Sequence, residues 1–355
     1  MQPLMLSRRK LLQLGAASLL SAALPFGSKN FAASPRSSFK LIRFAVISDL
    51  HVDIKGKNGV KMSAVSRECL NRTVAALNQE DGLAFVFVLG DLLLDGEQEN
   101  AVLVKDALDK LTVPYYVIAG NHDYRPHDPQ KRRQGFDYLS IKDFIQFFQG
   151  HGYDNSGKRY YARQIQPGLR LIGLDACLPE ADDWGGILPQ EQLQWLDQEL
   201  THHAEQLNLI FMHHNVIRWS KDELPGGNKA KFCIDNDSEV KQLLAKHAQA
   251  APVVLSGHRH IGLHLTEEKG VNYFVLPSLN SYPMRYTVFS LSPQSISWKT
   301  PMVNVAELVH LEARENLLQE TFWRKTDFAE RNPANDSEML EFYENNSMIF
   351  GAKQV

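Results

Sequence analysis

Residues 44–51 read Phe-Ala-Val-Ile-Ser-Asp-Leu-His, an apolar run that ends in two residues able to bind a metal ion. The run is short, contains β-branched and aromatic residues, and lacks alternating polar positions. This pattern is typical of a strand buried on both faces of a sheet. In α/β proteins, the crevice outside the carboxyl ends of such strands is where ligands bind. The stretch therefore predicts a buried strand with a polar site at its end.

Four more apolar runs end in the same way, and their polar endings are Gly90-Asp91, Gly120-Asn121-His122-Asp123, His213-His214 and Gly257-His258-Arg259-His260. Taken singly, such an ending is more often a helix cap or a turn than a metal ligand. Five strands that deliver Asp, Asn and His to one edge of a sheet are hard to explain by packing alone. We therefore expect these residues to form one site.

Eight apolar runs in all predict strands, namely Ile42–Ser48, Ala84–Gly90, Tyr115–Gly120, Leu169–Asp175, Leu209–His213, Val253–Gly257, Tyr273–Pro277 and Tyr286–Leu291. Helices are predicted between them, at Lys61–Asn78 and at Pro189–Ala204. The second of these carries leucines 193, 196 and 200 on one face. Strands that alternate with helices indicate an α/β fold built in layers.

The first 33 residues predict a signal peptide and not part of the fold. A positive start, Ser7-Arg8-Arg9-Lys10-Leu11-Leu12, precedes an apolar stretch at 14–24. That stretch is too short to span a bilayer comfortably, since a spanning helix needs about 20 apolar residues. The start resembles a twin-arginine export signal, with the twin-arginine export machinery as partner. We expect a periplasmic or secreted protein; the alternative is an uncleaved anchor or an amphipathic arm.

The composition argues against several classes of protein. The chain has 355 residues, of which 44% are hydrophobic and 22% charged, which is typical of a soluble globular protein. Lys and Arg total 38 against 41 Asp and Glu, whereas proteins that bind nucleic acid by neutralising phosphates are usually basic. Nucleic acid is therefore not an expected partner. Cys69, Cys177 and Cys233 form no CxxC pair, which argues against a disulfide framework or a zinc ribbon.

The ordered set of polar endings resembles the calcineurin-like metallophosphoesterase superfamily. The Asp-x-His at Asp49 and the Gly-His-x-His at Gly257 are most similar to its cyclic-nucleotide and glycerophosphodiester phosphodiesterase branch. The resemblance implies a four-layer α/β/β/α sandwich with two mixed sheets. Its catalytic domain would span residues 39–300, followed by a helical C-terminal extension at 301–355.

The resemblance also implies two divalent metal ions with seven ligands. These are Asp49, His51 and His260 for one ion, Asn121, His213 and His258 for the other, and Asp91 as the bridge. His214 stays open as an alternative to His213. Carboxylate and imidazole ligands suit manganese, iron, zinc or cobalt, whereas an all-oxygen cage would suit calcium or magnesium. Purple acid phosphatases have a metal-binding tyrosine at the position of Leu94, so a ferric-tyrosinate site is disfavoured.

For the chemistry, the resemblance implies that His122 stabilises the transition state or protonates the leaving alcohol, with Asp123 orienting its ring. The alternative is that His122 only donates a hydrogen bond to a ligand. Two cations roughly 3.5–4 Å apart would neutralise the phosphoryl oxygens, and a hydroxide that bridges them would attack phosphorus.

The expected reaction is hydrolysis of a small phosphate ester, with cyclic nucleotides or glycerophosphodiesters as the leading substrates. Within the same superfamily, the alternatives are a phosphomonoesterase and a phospholipid phosphodiesterase. A non-catalytic binding scaffold is the alternative of another class, and the complete ligand set argues against it. The loops at 124–136, 219–232 and 282–285 are candidates for substrate contact, with ordinary surface loops as the alternative.

Overall fold

The computed structural model of the protein describes residues 39–181, 183–219, 231–322 and 336–355. The expected signal peptide at 1–33 and most of the loop at 219–232 lie outside these ranges. Within them, no helix combines the length and the apolar character needed to cross a membrane.

In the described ranges the strands are β1 (Ile42–Ile47), β2 (Leu83–Leu89), β3 (Tyr115–Ile118), β4 (Tyr161–Gln166), β5 (Leu169–Leu174), β6 (Leu207–Met212), β7 (Val253–Ser256), β8 (His264–Glu268), β9 (Val271–Val275), β10 (Thr287–Leu291), β11 (Ser295–Lys299) and β12 (Phe350–Gln354). The helices are α1 (Ser66–Leu77), α2 (Gln98–Leu108), α3 (Ile141–Phe147), α4 (Gln190–His202), α5 (Asp237–Lys246), α6 (Glu307–Gln319) and α7 (Asp336–Glu344).

The strands form two mixed sheets of six strands each. The first has the order β12-β11-β10-β1-β2-β3, with β1 parallel to β2 and antiparallel to β10. The second has the order β4-β5-β6-β7-β9-β8, with the four central strands parallel and antiparallel strands at both edges. The prediction of an α/β fold with two mixed sheets is therefore confirmed.

Aromatic residues join the two sheets. Phe44 of β1 stacks between Phe85 of β2 and Phe289 of β10, with ring centroids 5.0 and 5.1 Å away. Its edge contacts Phe211 of β6 in the second sheet, and Phe211 in turn stacks on Phe87 at 3.9 Å. Because the side chains of a strand alternate in direction, the other face of each sheet packs on helices. Apolar residues of α1 and α2 belong to the core that also contains the facing sides of both sheets, and those of α4 and α5 belong to a second cluster, on the second sheet.

Four strands, β4, β8, β11 and β12, were not predicted from the sequence. They are edge or near-edge strands with mixed polar and apolar residues, so they do not form apolar runs. The expected helical extension at 301–355 contains α6 and α7, but its last residues form β12, which pairs antiparallel to β11. The prediction of a helix from Lys61 is also corrected, since α1 begins at Ser66 and Lys61 lies in a turn that bridges to Ser281.

We predict that Phe44→Ala lowers the free energy of unfolding by about 3–5 kcal/mol, since it leaves a cavity at the junction of the two sheets. Chemical denaturation measures this change. Phe350→Ala is the matched control, because that phenylalanine is 71% exposed; we expect a change within about 0.5 kcal/mol. A loss below about 1 kcal/mol for Phe44→Ala would show that this aromatic contact does not hold the sheets together.

Candidate metal centre

The carboxyl ends of β1, β2, β3, β6 and β7 meet at one edge of the sandwich. The polar residues that follow these strands are joined by backbone hydrogen bonds. The His51 N–H donates to the Asp91 carbonyl at 2.9 Å, and the Gly257 N–H donates to the His213 carbonyl at 2.9 Å. The second bond links the ends of β6 and β7, so the loops that carry the predicted ligands support one another.

The backbone at this edge is strained. Left-handed φ angles occur at five of the seven predicted ligands, namely Asp49 (53°), His51 (39°), Asp91 (51°), His258 (66°) and His260 (52°). Such conformations cost about 1–3 kcal/mol each in non-glycine residues and cluster at functional sites. The strained backbone therefore indicates a functional site, where the required positions of the side chains outweigh the cost in stability.

Glycines let the strand ends approach one another. Gly90 has a φ of 83°, and a Cβ there would lie 2.5 Å from Nδ1 of His213. A Cβ on Gly257 would lie 2.8 Å from Oδ2 of Asp49. Both contacts are shorter than side chains tolerate, so glycine is needed at these positions for the two sheets to bring their polar residues together.

Four of the predicted ligands form a first cluster of buried donor atoms, namely Asp49, His51, Asp91 and His260. Nε2 of His51 lies 3.1 Å from Nε2 of His260 and 3.4 Å from Oδ2 of Asp91. Nε2 of His260 lies 3.1 Å from Oδ1 of Asp49. Two imidazole nitrogens and two carboxylate oxygens thus face one point.

Asp91, His213 and His258 form a second cluster. Nε2 of His213 lies 3.3 Å from Oδ1 of Asp91 and 3.1 Å from Nδ1 of His258. Asn121 lines the same cavity as Asp91 and His258, and its Oδ1 atom is buried without a hydrogen-bond partner. A buried carbonyl oxygen without a donor is unfavourable unless another positive group, such as a metal ion, contacts it.

Asp91 belongs to both clusters, with one oxygen in each. Oδ2 faces His51 and Oδ1 faces His213. This is the arrangement expected of a carboxylate that bridges two ions.

In the second cluster, hydrogen bonds on the far side of the His213 and His258 rings fix which nitrogen of each faces the cluster. Nδ1 of His213 lies 2.8 Å from the Leu89 carbonyl, and Nε2 of His258 lies 3.2 Å from the Lys231 carbonyl. An N–H that donates to a carbonyl leaves the lone pair on the other nitrogen, which can then bind a metal ion. Lone pairs only 3.1 Å apart repel unless a cation lies between them. The donor set therefore fits two divalent ions.

The charges of the site also indicate that it binds cations. Burial lowers the pKa of His213, but the negative charges of Asp91 and Asp49 outweigh it and raise this pKa to about 9. Burial raises the pKa of Asp91, but the neighbouring histidines, His213 above all, bring it well below its usual value. Burial lowers the pKa of His258 well below its usual range, so this ring is neutral at pH 7. Without metal ions, a proton on His213 therefore compensates the buried Asp91 carboxylate.

His213, and not its neighbour His214, faces Asp91. Nε2 of His214 lies 3.2 Å from the Trp184 carbonyl. Burial lowers the pKa of His214 to about 3. His214 is thus a neutral ring that supports the loop carrying Trp184.

His122 lies beside both clusters. Its backbone N–H donates to Oδ1 of Asp91 at 2.9 Å, and its ring contacts the His51 ring edge-on at a centroid distance of 4.9 Å. Nδ1 lies 2.9 Å from Oδ1 of Asp95 and also contacts the Leu94 carbonyl. Nε2 lines the cavity, 3.0 Å from Nζ of Lys61.

The expected role of Asp123 is corrected by these contacts. Its carboxylate accepts hydrogen bonds from the backbone N–H groups of Leu92 (2.7 Å), Leu93 (3.0 Å) and Gly120 (2.8 Å). All of its oxygens face the backbone, so Asp123 fixes the loops after β2 and β3. Asp95 is the carboxylate that orients His122, and the sequence offered no signal for it because it lies in a loop beyond the Gly-Asp motif.

The clusters open into one cavity, and a second cavity adjoins it at Asn121, His122 and Trp184. One has a volume of about 300 Å³ and includes Lys61, Trp184, Phe232 and Phe322 in its walls. The other has a volume of about 210 Å³ and receives Tyr124, Pro126, His127 and Lys131 from the loop at 124–136. The expectation that this loop lies beside the site therefore agrees with the structure.

Some cavity residues were not singled out from the sequence. Trp184 lines both cavities and follows the strand end at Asp175, a position that could have suggested it. Lys61 precedes α1 by several residues, and no motif marks it. Of the segment 282–285, Tyr282 lines a separate surface groove with Met302 and Arg314.

Comparisons with known proteins indicate the family to which the chain belongs. The model of one family, described as calcineurin-like phosphoesterase, matches residues 42–262, well over half of the chain. A protein from Arcobacter nitrofigilis named a probable glycerophosphodiester phosphodiesterase is 26% identical over 180 residues, and the match covers 48% of this chain and 56% of that protein. A protein from Synechococcus named a probable cyclic nucleotide phosphodiesterase is 28% identical over 225 residues, with 62% and 73% covered.

The chain thus spans little more than half of the length of the Arcobacter relative. Among solved structures, a dimetal phosphatase from Danio rerio is similar with a TM-score of 0.58 and 20% identity, over 73% of this chain and 95% of that one. At 20% identity, this similarity supports the fold only, and the activity has to be inferred from the residues of the site.

We predict that metal binding at pH 7 releases at least one proton per chain. His213 has a pKa near 9 in the metal-free site, so it is protonated at pH 7 and must lose that proton to bind an ion. The affinity for metal ions should therefore fall about tenfold for each pH unit below 9. Calorimetric titration of metal-free protein in buffers of different ionisation enthalpy measures the release. His214→Gln is the matched control and should release the same number of protons on metal binding. Absence of proton release in the unmodified protein would contradict this account of the site.

Proposed function

This chain belongs to the calcineurin-like phosphoesterase family, whose model matches residues 42–262, and we propose that it is an exported, metal-dependent phosphodiesterase. The proposed substrates are small phosphodiesters of the cyclic-nucleotide or glycerophosphodiester type. One observation carries the proposal: the Asp91 carboxylate places one oxygen in each of two buried clusters of imidazole and carboxylate donors.

The residues that would hold the ions are the seven predicted ligands. Asp49, His51, His260 and one oxygen of Asp91 suit the first ion; Asn121, His213, His258 and the other oxygen of Asp91 suit the second. Two divalent ions, when bound, neutralise phosphoryl oxygens and lower the pKa of water enough for it to act as a nucleophile at neutral pH. Manganese, iron, zinc and cobalt all fit this donor set.

His122 supplies the proton that the leaving alcohol needs. Asp95 and the Leu94 carbonyl hold Nδ1 of the ring, so that Nε2 lines the cavity. In the substrate-free site Nε2 accepts a hydrogen bond from the Lys61 ammonium; during the reaction the same atom would carry the proton that passes to the departing oxygen, which is the usual role of a general acid. The bond from the His122 backbone N–H to Asp91 fixes the residue beside the ligands.

The cavity sizes support a small substrate. Volumes of about 300 and 210 Å³ lie at or below the lower end of small-molecule sites. Trp184 stands in the wall of both cavities, so an aromatic side chain borders the space next to the clusters. An aromatic wall suits a flat or apolar group, such as a nucleobase.

A panel assay tests the proposal. Purified protein is analysed for bound metal and then assayed with bis(p-nitrophenyl) phosphate, p-nitrophenyl phosphate, cyclic nucleotides and glycerophosphodiesters. We expect metal-dependent cleavage, with at least one diester among the substrates. If the metal-loaded protein cleaves none of these esters, the chain is a binding scaffold and the proposal fails.

We predict that His122→Ala lowers kcat by about 10²–10⁴-fold, the usual contribution of a general acid. Metal content should stay near that of the unmodified protein, since the His122 ring lies outside both clusters. His202→Ala, which removes an exposed histidine at the end of α4, is the matched control and should keep full activity. Near-normal turnover of His122→Ala would show that the acid is another group.

Export is proposed from residues 1–33 alone. We predict that replacing Arg8 and Arg9 by lysine retains the protein inside a bacterial host that has the twin-arginine machinery. The machinery recognises the arginine pair itself, whereas lysine preserves only the charge. Cell fractionation measures the distribution. Lys10→Arg is the matched control and should still be exported, and unchanged export of the double variant would contradict a twin-arginine signal.

A further inference from the structure

Lys61 is anchored to the segment that also positions a predicted metal ligand. It lies in a turn closed by a bridge between Asn58 and Met62, and a second bridge joins Lys61 itself to Ser281. The Met62 N–H donates to the Asn280 carbonyl at 2.8 Å, and the Met62 side chain is fully buried. Oγ of Ser281 lies 2.9 Å from Nδ1 of His260. The backbone of Lys61 is therefore fixed relative to the first cluster.

The side chain of Lys61 projects into the cavity that both clusters share. Nζ lies 3.0 Å from Nε2 of His122, and Lys61 lines the cavity together with Asp91 and Asn121. Among the described residues, no carboxylate lies within 4.0 Å of Nζ, so the ammonium lacks an ion-pair partner there. The ammonium carries three N–H donors, and His122 accepts only one of them.

A half-buried cation with donors facing a cavity is suited to bind an anion, and a lysine beside a phosphate acts as a compact point charge. A phosphodiester carries one negative charge, whereas a phosphate monoester carries close to two at pH 7, since its second pKa is about 6. The Lys61 ammonium attracts a dianion more strongly than a monoanion, so it favours binding of the monoester over the diester.

We propose that Lys61, beside His122, binds a non-bridging phosphoryl oxygen and extends the substrate range of the site to dianionic phosphate monoesters. In that reaction the oxygen of water bonds to phosphorus and the bond from phosphorus to the ester oxygen breaks. The alcohol leaves with a proton, and inorganic phosphate is the second product. The inference rests on the proposed function for the chemistry, and on the contacts of Lys61 for the recognition of charge.

The test compares Lys61→Met with Lys57→Met, which removes an exposed lysine in the segment leading into the same turn. Three quantities are measured on metal-loaded protein: kcat/KM for bis(p-nitrophenyl) phosphate and for p-nitrophenyl phosphate, the affinity for inorganic phosphate by calorimetry, and the metal content. Loss of one charge-assisted hydrogen bond should lower phosphate affinity and monoester kcat/KM by about 10–100-fold. We expect diester kcat/KM to fall clearly less than monoester kcat/KM, because the ammonium attracts a monoanion less strongly than a dianion. Metal content should stay constant, and Lys57→Met should resemble the unmodified protein.

Lys61→Arg keeps the charge and should restore part of the phosphate affinity, which guards against a variant that is merely misfolded. Equal losses for both esters, unchanged phosphate affinity, or loss of metal in Lys61→Met would each overturn the inference. So would an unmodified protein that cleaves the diester and leaves the monoester intact. If the unmodified protein cleaves neither ester, the proposed function fails, while the phosphate titration still decides whether Lys61 binds the anion.

Discussion

A buried carboxylate shared between two groups of imidazole nitrogens is the constraint on which the rest of this structure depends. Asp91 and Asp49 have almost no contact with solvent, and burial of an uncompensated carboxylate is strongly unfavourable. Positive charge must therefore lie between the donors, either as a proton on His213 or as metal ions. The lone pairs of His213 and His258, which converge at 3.1 Å, impose the same requirement. The polar edge of the sandwich is consequently stable only when it holds cations, and a site that holds cations attracts phosphate.

The fold supplies this arrangement at the cost of local backbone strain. Two sheets joined by the Phe44 and Phe211 contacts bring five strand ends to one edge, and the left-handed backbone at Asp49, Asp91 and His258 turns the side chains inward. Glycines before the ligands permit the close approach. The apolar packing below the edge is what can support such strain, because a large buried core offsets a few kcal/mol.

Much of the fold and most of the candidate site could be predicted from the sequence, because both follow from local sequence patterns. Apolar runs mark strands buried on two faces, and the Asp, Asn and His residues that end them lie together in the structure. Edge strands such as β8 and β12 lack that pattern, since only part of each faces the core. Asp95 and Lys61 were missed for another reason: they approach His122 from loops whose paths depend on long-range contacts, such as the bridge to Ser281.

The central claim is that Asp91 bridges two metal ions, and anomalous diffraction from crystals of the metal-loaded protein tests it most directly. The account predicts two anomalous peaks per chain, roughly 3.5–4 Å apart, with Oδ2 of Asp91 on the ion next to His51 and Oδ1 on the ion next to His213. A single peak, or both oxygens of Asp91 on the same ion, would contradict it.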